Sequence, residues 1–278
     1  MRLGGPIFDK YDDADGWVAA LRRLGYGAAY CPVDAAASGD VIRAYAAAAE
    51  KAGIVIAEVG AWSNPLGLDP ETRRAALANC QRQLALADEI GARCCVNIGG
   101  SRGAKWDGPD ARDLTAETFD MIVQTARDII DAVKPARTFY TLETMPWMYP
   151  DSPDCYVKLI RAIARKQFAA HLDPTNLVSS PQRYFDNGAL IRECFAKLGP
   201  HIRSCHAKDI LLSDRFMVHL DEVRPGLGAL DYRAFLQDLA RLDPDTPLMI
   251  EHLATAEEYA LAAEYIRSVA ADIGAAFK

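Results

Sequence analysis

The sequence predicts an α/β protein that forms one (β/α)₈ TIM barrel spanning residues 1–278. Eight short apolar runs alternate with eight helical patterns, at about 35 residues per strand–helix unit. The runs are continuously apolar, which is typical of parallel strands that helices cover. Four of the later runs end at a carboxylate or an imidazole, and in such barrels the carboxyl ends of the strands form the functional mouth.

The individual elements follow from these runs and from helix-start signals. Strands are predicted at about 1–5, 27–31, 53–59, 93–98, 138–143, 168–173, 202–207 and 247–251. Helices are predicted at 13–24, 38–52, 70–90, 115–133, 154–165, 181–198, 232–242 and 255–271. A doubly wound open sheet is the alternative fold, but Gly4-Gly5-Pro6 lacks the glycine-rich fingerprint expected after its first strand.

Composition narrows the class of protein. The chain has 278 residues and a net charge of −7, and no run of lysine or arginine reaches five residues, which argues against a nucleic-acid partner. No apolar segment approaches the roughly 20 residues needed to cross a bilayer, and the first residues do not resemble a signal peptide. The seven cysteines form no CxxC pair, so we expect reduced thiols and a cytoplasmic location.

Four polar residues at the predicted strand ends form the candidate site. Glu143, Asp173, His206 and Glu251 follow one another at spacings of 30, 33 and 45 residues, which places them on the last four strands. Three carboxylates at one mouth would repel one another unless a cation lay among them. Oxygen ligands with one imidazole suit a divalent ion: Mn²⁺ first, with Mg²⁺, Co²⁺ or Zn²⁺ as alternatives.

Around these residues the chain resembles the xylose-isomerase-like family of sugar isomerases and epimerases. The matching pieces, spread from about residue 50 to the C-terminus, are Leu142-Glu143, Leu172-Asp173-Pro174, His206-Ala207-Lys208-Asp209, Pro225-Gly226-Leu227-Gly228 and Ile250-Glu251. The resemblance to its ketose 3-epimerases implies that Glu143, Asp173, His206 and Glu251 bind one metal ion. It also implies that Glu143 and Glu251 exchange protons with the substrate. One departure is Asn176, where those epimerases have a substrate-binding histidine, because an amide cannot act as an acid.

The expected chemistry begins with removal of a proton next to a carbonyl, to give an enediolate. Return of the proton gives a sugar isomerase or epimerase. Loss of a neighbouring group instead gives a lyase that cleaves 3-oxo-glycosides, including C-glycosides, and the resembling lyases work with a small β-rich partner subunit. The residues leave this second step, and the choice between that partner and a homo-oligomer, open. Apurinic endonucleases share the fold, but five histidines and an acidic balance argue against them.

The substrate, a small sugar or glycoside, is expected to meet side chains from the longer strand-to-helix loops. The candidates are Asn176, Lys208, Arg224, Trp106, Trp147 and His219. Trp62 is a further aromatic candidate, because tryptophan rings commonly cover the apolar faces of sugars. His171 alternates with Leu172, which indicates a side chain inside the barrel, while Glu58 lines the pocket or pairs with an arginine.

Overall fold

The computed structural model describes residues 1–278 and contains a closed barrel of eight parallel strands. In chain order the strands are β1 (Arg2–Gly4), β2 (Ala28–Tyr30), β3 (Val55–Gly60), β4 (Cys94–Asn97), β5 (Tyr140–Glu143), β6 (Phe168–Leu172), β7 (Ile202–Ala207), β8 (Asp209–Leu212), β9 (Leu220–Val223) and β10 (Pro247–Ile250). β8 and β9 form a separate antiparallel pair. The other eight close the barrel where β1 pairs with β10, which confirms the predicted fold class.

Nine α-helices accompany the strands. They are α1 (Ala14–Leu24), α2 (Gly39–Ala52), α3 (Pro70–Ile90), α4 (Ala116–Val133), α5 (Pro153–Ile163), α6 (Pro181–Phe185), α7 (Asn187–Leu198), α8 (Tyr232–Leu239) and α9 (Ala256–Asp272). Side-chain caps set several starts: Ser38 accepts a hydrogen bond from the Val41 amide, and Thr115 accepts one from the Thr118 amide.

Two features differ from the sequence prediction. The helix predicted at 181–198 is broken at Asp186, whose φ of −128° and ψ of 37° lie outside the helical region. The Asn187 side chain donates to the carbonyls of Tyr184 and Ala229, so a local polar contact replaces helix continuation there. In addition, the long loop after β7 contains the β8–β9 hairpin. The sequence prediction missed it because both strands have only four residues, and the acidic residues Asp221 and Glu222 interrupt β9.

The core has an outer and an inner part. Outward-facing strand residues such as Cys205 and Ile250 pack with the helices in the main apolar core. Ala28, Ala57 and Met249 form a small apolar cluster of their own. Alternate residues of β6 and β7 are polar, fully buried and contact one another: His171, Ser204 and His206. The strands therefore direct polar side chains to one place while their opposite faces stabilise the fold.

The two ends of the barrel differ in chemistry. The carboxyl ends of the strands open into a cavity of about 570 Å³, which the candidate ligands Glu143 and Glu251 line. Two open clefts of about 740 and 730 Å³ lie where the strands begin, with Arg93 and Arg137 in both. Those clefts hold no grouping of carboxylate and imidazole ligands, so the functional argument rests on the smaller cavity. None of the helices combines the length and apolar character needed to traverse a bilayer.

Candidate metal centre and active site

The four predicted ligands converge at the carboxyl end of the barrel. Glu143 ends β5, Asp173 follows β6, His206 lies in β7 and Glu251 follows β10. One ligand atom from each lies within 4.8 Å of the others. The His206 Nδ1 atom is 3.2 Å from Glu143 Oε1 and 2.9 Å from Glu251 Oε1. The strand order thus assembles four residues that are more than 100 positions apart at the extremes.

A fifth residue, Lys208, lies at the centre of the carboxylates. Its ammonium nitrogen is 2.9 Å from Asp173 Oδ2, 2.5 Å from Glu251 Oε1 and 3.4 Å from Glu143 Oε1. The side chain is 2% exposed. Lys208 follows His206 by two positions, so the alternation of an extended chain places both on the same side. That alternation could have placed it at this site from the sequence.

Burial and close charges shift every pKa in the cluster. Burial alone would raise the pKa of Glu143, but Lys208 and His206 outweigh it and lower this pKa to about 2. For Glu251, His206 and Lys208 likewise outweigh burial and lower the pKa. Burial, opposed by Lys208 and reinforced by Glu143, raises the pKa of Asp173 to about 6. Two of the three carboxyls are therefore strongly biased toward the ionised form at neutral pH.

The two cationic groups shift in the opposite direction. Burial would lower the pKa of His206, but Glu251, Glu58 and Glu143 hold it well above its usual value. Burial would also lower the pKa of Lys208, and the surrounding carboxylates likewise raise it. Both groups therefore carry positive charge among the carboxylates at neutral pH.

Loop residues hold the carboxylates in place. The Asp173 Oδ1 atom accepts hydrogen bonds from the backbone amides of Thr175 and Asn176, at 2.9 and 3.3 Å. The Thr144 hydroxyl donates to the Asp173 carbonyl at 2.7 Å. The side-chain nitrogen of Asn176, Nδ2, donates a hydrogen bond to Glu143 Oε1 at 3.0 Å. The residue that departs from the epimerase pattern therefore contacts a candidate ligand.

A second buried layer lies beneath the ligands. Glu58 Oε1 is 3.0 Å from His206 Nε2, and Glu58 Oε2 is 2.9 Å from His171 Nε2. The Ser204 hydroxyl also donates to Glu58 Oε2, at 3.0 Å. Burial would raise the pKa of Glu58, but His206 and His171 outweigh it and lower this pKa. Of the two alternatives for Glu58, the structure supports the first: Glu58 lines the cavity, and its carboxylate pairs with two histidines and not with an arginine.

The donor set fits a divalent cation. Asp173 Oδ2 and Glu251 Oε1 are buried carboxylate oxygens whose close partners are the Lys208 ammonium and, for Glu251, the His206 ring. Buried carboxylates are costly unless positive charge lies beside them, and a divalent cation at this position would supply more of that charge. Three buried carboxylates and the partly buried Glu251 also face only two strongly cationic side chains, those of His206 and Lys208. The acidic and histidine cluster could therefore bind a divalent metal.

The cavity above the ligands has an aromatic rim. Trp62, Trp106 and Trp147 line it and are 44%, 38% and 39% exposed, so each presents part of its ring to the opening. The Trp147 indole nitrogen donates to the Asp107 carbonyl at 2.9 Å, which fixes that ring. Gly60 makes room for Trp62, because a Cβ atom there would lie 2.3 Å from the Trp62 indole nitrogen.

The structure brings four of the six candidate substrate contacts to this cavity. They are Trp106, Trp147, Asn176 and Lys208. Arg224 instead pairs with Glu258 at 3.3 Å, and the His219 carbonyl accepts from the Ser213 amide in the β8–β9 hairpin. Neither of these two lines the cavity, and their substrate role stays a prediction.

Sequence reasoning missed other residues that line the cavity: Tyr30, Glu222 and His252. His252 adopts a left-handed φ of 61° directly after Glu251, and its Nδ1 atom lies 3.1 Å from Glu222 Oε1. The Tyr30 hydroxyl donates to the Ile250 carbonyl at 3.1 Å. Tyr30 and Glu222 gave no local signal, because they lie in the short strands β2 and β9, which carry no motif of their own.

Comparison with known proteins extends the geometric description. A family model described as a xylose isomerase-like TIM barrel matches residues 18–269. No curated protein sequence matches significantly. Many solved structures have a similar fold, and three illustrate the range of their chemistry.

Endonuclease IV from Thermus thermophilus is 16% identical with a TM-score of 0.72, over 98% of this chain and 100% of that chain. D-psicose 3-epimerase from Clostridium cellulolyticum, with D-tagatose, is 14% identical with a TM-score of 0.67, over 97% and 99% of the two chains. A xylose isomerase-like TIM barrel protein from Mycobacterium smegmatis, in complex with magnesium, is 20% identical with a TM-score of 0.65, over 94% and 90%. At these identities the likeness concerns the fold.

Proposed function

This chain belongs to the xylose isomerase-like TIM barrel family, and from that membership we propose that it is a divalent-metal-dependent sugar isomerase or epimerase. The substrate would be a small sugar with a carbonyl group. The metal would be held by Glu143, Asp173, His206 and Glu251. Mn²⁺ is our first choice, and the magnesium in the Mycobacterium smegmatis relative supports Mg²⁺ as an alternative.

One observation carries this proposal: Glu143 and Glu251 reach the same centre from different sides of the barrel. Their Oε1 atoms lie 3.2 and 2.9 Å from the same His206 nitrogen, and both residues line the open cavity. A sugar carbon held above them would have one carboxylate on each side. This is the arrangement that proton removal on one face and proton return on the other require.

The roles of the side chains follow from their chemistry. When bound, a divalent cation supplies positive charge that stabilises an oxyanion developing next to the reacting carbon. One glutamate accepts the proton and later releases it to solvent. In epimerisation the other glutamate, after taking up a proton from solvent, returns that proton from the opposite face. Lys208 donates hydrogen bonds within the cluster, and Asn176 orients Glu143. The tryptophan rim covers the apolar face of the sugar and limits the access of water.

A second candidate function is elimination from a 3-oxo-glycoside by the same first step. Two observations favour it: the rim contains three tryptophans together with Met145 and Pro146, and an asparagine replaces the histidine of the epimerase pattern. An aromatic aglycone would pack against such a rim. This lyase would remove the same proton but would then expel the aglycone from the neighbouring carbon. We further propose that the protein works either with a small β-rich partner subunit or as a homo-oligomer.

The deciding experiment follows deuterium in D₂O by proton NMR. The protein is incubated with Mn²⁺ and either a pool of free ketoses or a 3-oxo-glucoside with an aromatic aglycone. Protein and metal are removed by filtration and chelation before the spectra are recorded. Metal-stripped protein and a Glu251→Gln variant serve as controls for contaminating activity.

The outcomes separate the two candidates. Deuterium incorporation with a new epimer or aldose supports the isomerase or epimerase. Release of the aglycone without a new epimer supports the lyase and rejects the first proposal. Protein that binds Mn²⁺ but leaves both substrate classes unchanged would overturn the proposed substrate class.

A further inference from the structure

We propose that Glu58 is a positioning residue that holds the His206 ring so that its Nδ1 atom faces the metal site. The inference rests on the proposed metal-binding function and deepens it. Glu58 lies on β3, across the barrel from the four ligand-bearing strands, and it is 2% exposed. The side-chain hydrogen bonds of Glu58 all go to fully buried residues: His171, Ser204 and His206.

The geometry leaves His206 little freedom. Its Nε2 atom lies 3.0 Å from Glu58 Oε1, while its Nδ1 atom faces Glu143 and Glu251 on the opposite side of the ring. A carboxylate accepts hydrogen bonds and cannot donate them, so Nε2 must carry the hydrogen. In the neutral ring, Nδ1 is then the nitrogen whose lone pair is available to a cation.

Glu58 is itself fixed by two further groups. Its second oxygen, Oε2, accepts from His171 Nε2 at 2.9 Å and from the Ser204 hydroxyl at 3.0 Å. The rings of His171 and His206 also meet edge to face, with centroids 4.1 Å apart. His171 and Ser204 therefore hold the carboxylate, which in turn holds His206. These buried polar residues therefore orient the candidate ligand His206 in addition to filling the interior of the barrel.

The test measures Mn²⁺ binding directly, without turnover. Glu58→Gln keeps the shape of the side chain but replaces one acceptor oxygen with an N–H donor and removes the charge. We expect its Mn²⁺ affinity, from the electron paramagnetic resonance signal of free Mn²⁺, to fall by about 10–100-fold. The control is Glu264→Gln, which removes an exposed negative charge on α9 and should leave the Mn²⁺ affinity unchanged. Circular dichroism and thermal melting verify that each variant is folded.

A second readout separates positioning from a loss of negative charge. Electron spin echo modulation from ¹⁴N reports whether an imidazole nitrogen coordinates Mn²⁺. At saturating Mn²⁺ we expect strong ¹⁴N modulation in the wild type and weaker modulation in Glu58→Gln. Reduced affinity with full modulation would indicate an effect of charge alone and would overturn the positioning role. Unchanged affinity would overturn it as well.

Failure of the proposed function is distinguishable from failure of this inference. Wild-type protein that binds no Mn²⁺ would reject the metal site and the inference together. Wild-type binding that the Glu58→Gln substitution leaves unchanged would reject the inference only. If Glu58→Gln does not fold, Ser204→Ala replaces it, because this variant removes one of the three bonds to Glu58. We expect it to weaken Mn²⁺ binding severalfold, and an unchanged affinity would count against the inference.

Discussion

At the scale of single residues, Glu143 and Glu251 are distinguished from ordinary buried carboxylates by the cations between them. His206 and Lys208 contact both, and these contacts lower both pKa values despite burial. A base must be ionised before it can accept a proton, so both residues meet that condition at neutral pH. We predict that Glu251→Gln lowers turnover by about 10²–10⁴-fold in a folded protein. Activity within tenfold of the wild type would reject the proton-transfer role.

A second prediction concerns the proton on His206. Its pKa is held well above the usual value, so the ring is protonated at neutral pH in the absence of a metal. A metal ligand must be neutral at the coordinating nitrogen, so binding has to displace that proton. We expect release of about one proton per Mn²⁺ at pH 7, and tighter binding as the pH rises. Calorimetry in buffers of different ionisation enthalpy measures this number, and a value near zero would contradict the assignment of His206.

At the scale of elements, the seam between β5 and β6 depends on a side chain from α5. The buried Tyr156 hydroxyl lies 2.6 and 3.0 Å from the Leu142 and Ala169 carbonyls, to which it can donate, and accepts from the Leu142 amide at 3.1 Å. The Tyr156 hydroxyl thereby links α5 to β5 and to β6, and its contact on β5 is Leu142, one residue before Glu143. Tyr156→Phe removes these bonds but keeps the ring, and we predict a loss of about 1–3 kcal/mol in the free energy of unfolding.

Urea denaturation measures this loss, and Tyr45→Phe is the matched control. Tyr45 is half-buried on α2 and packs its ring on Trp17 with centroids 5.6 Å apart, without a hydrogen bond from its hydroxyl to another residue. We expect that control to change stability by less than about 0.5 kcal/mol. Equal effects of the two substitutions would show that the Tyr156 hydroxyl does not stabilise the seam.

The elements also show what the sequence could predict. Each barrel strand lies within two residues of its predicted bounds, because buried parallel strands leave uninterrupted apolar runs. The convergence of Glu143, Asp173, His206 and Glu251 was predictable, since strand order and barrel closure place consecutive strand ends together. The bonds from Glu58 to His171 and His206 were not, because they cross the barrel interior and depend on side-chain geometry that no local pattern encodes.

At the scale of the whole molecule, a cation at the candidate site would be bound by residues from four barrel strands. Ligands on β5, β7 and the ends of β6 and β10 come together only in the folded barrel, so a bound metal favours the folded state over the unfolded chain. At a metal concentration of 100 times Kd, this stabilisation is about 2.7 kcal/mol. For a chain of this size, we predict a rise of about 5–10 °C in the melting temperature with Mn²⁺, reversed by EDTA.

Asp173→Asn provides the matched comparison for this effect. Asparagine keeps the shape of the side chain, and its oxygen can still accept from the Thr175 amide, but it removes the charge beside Lys208. We therefore expect a folded variant whose melting temperature responds little to Mn²⁺. Thermal melts of both proteins with and without Mn²⁺ make the measurement. An equal Mn²⁺-induced rise in both proteins would show that the stabilising ion binds outside this cluster. The proposed metal-dependent chemistry would then have no support from this site.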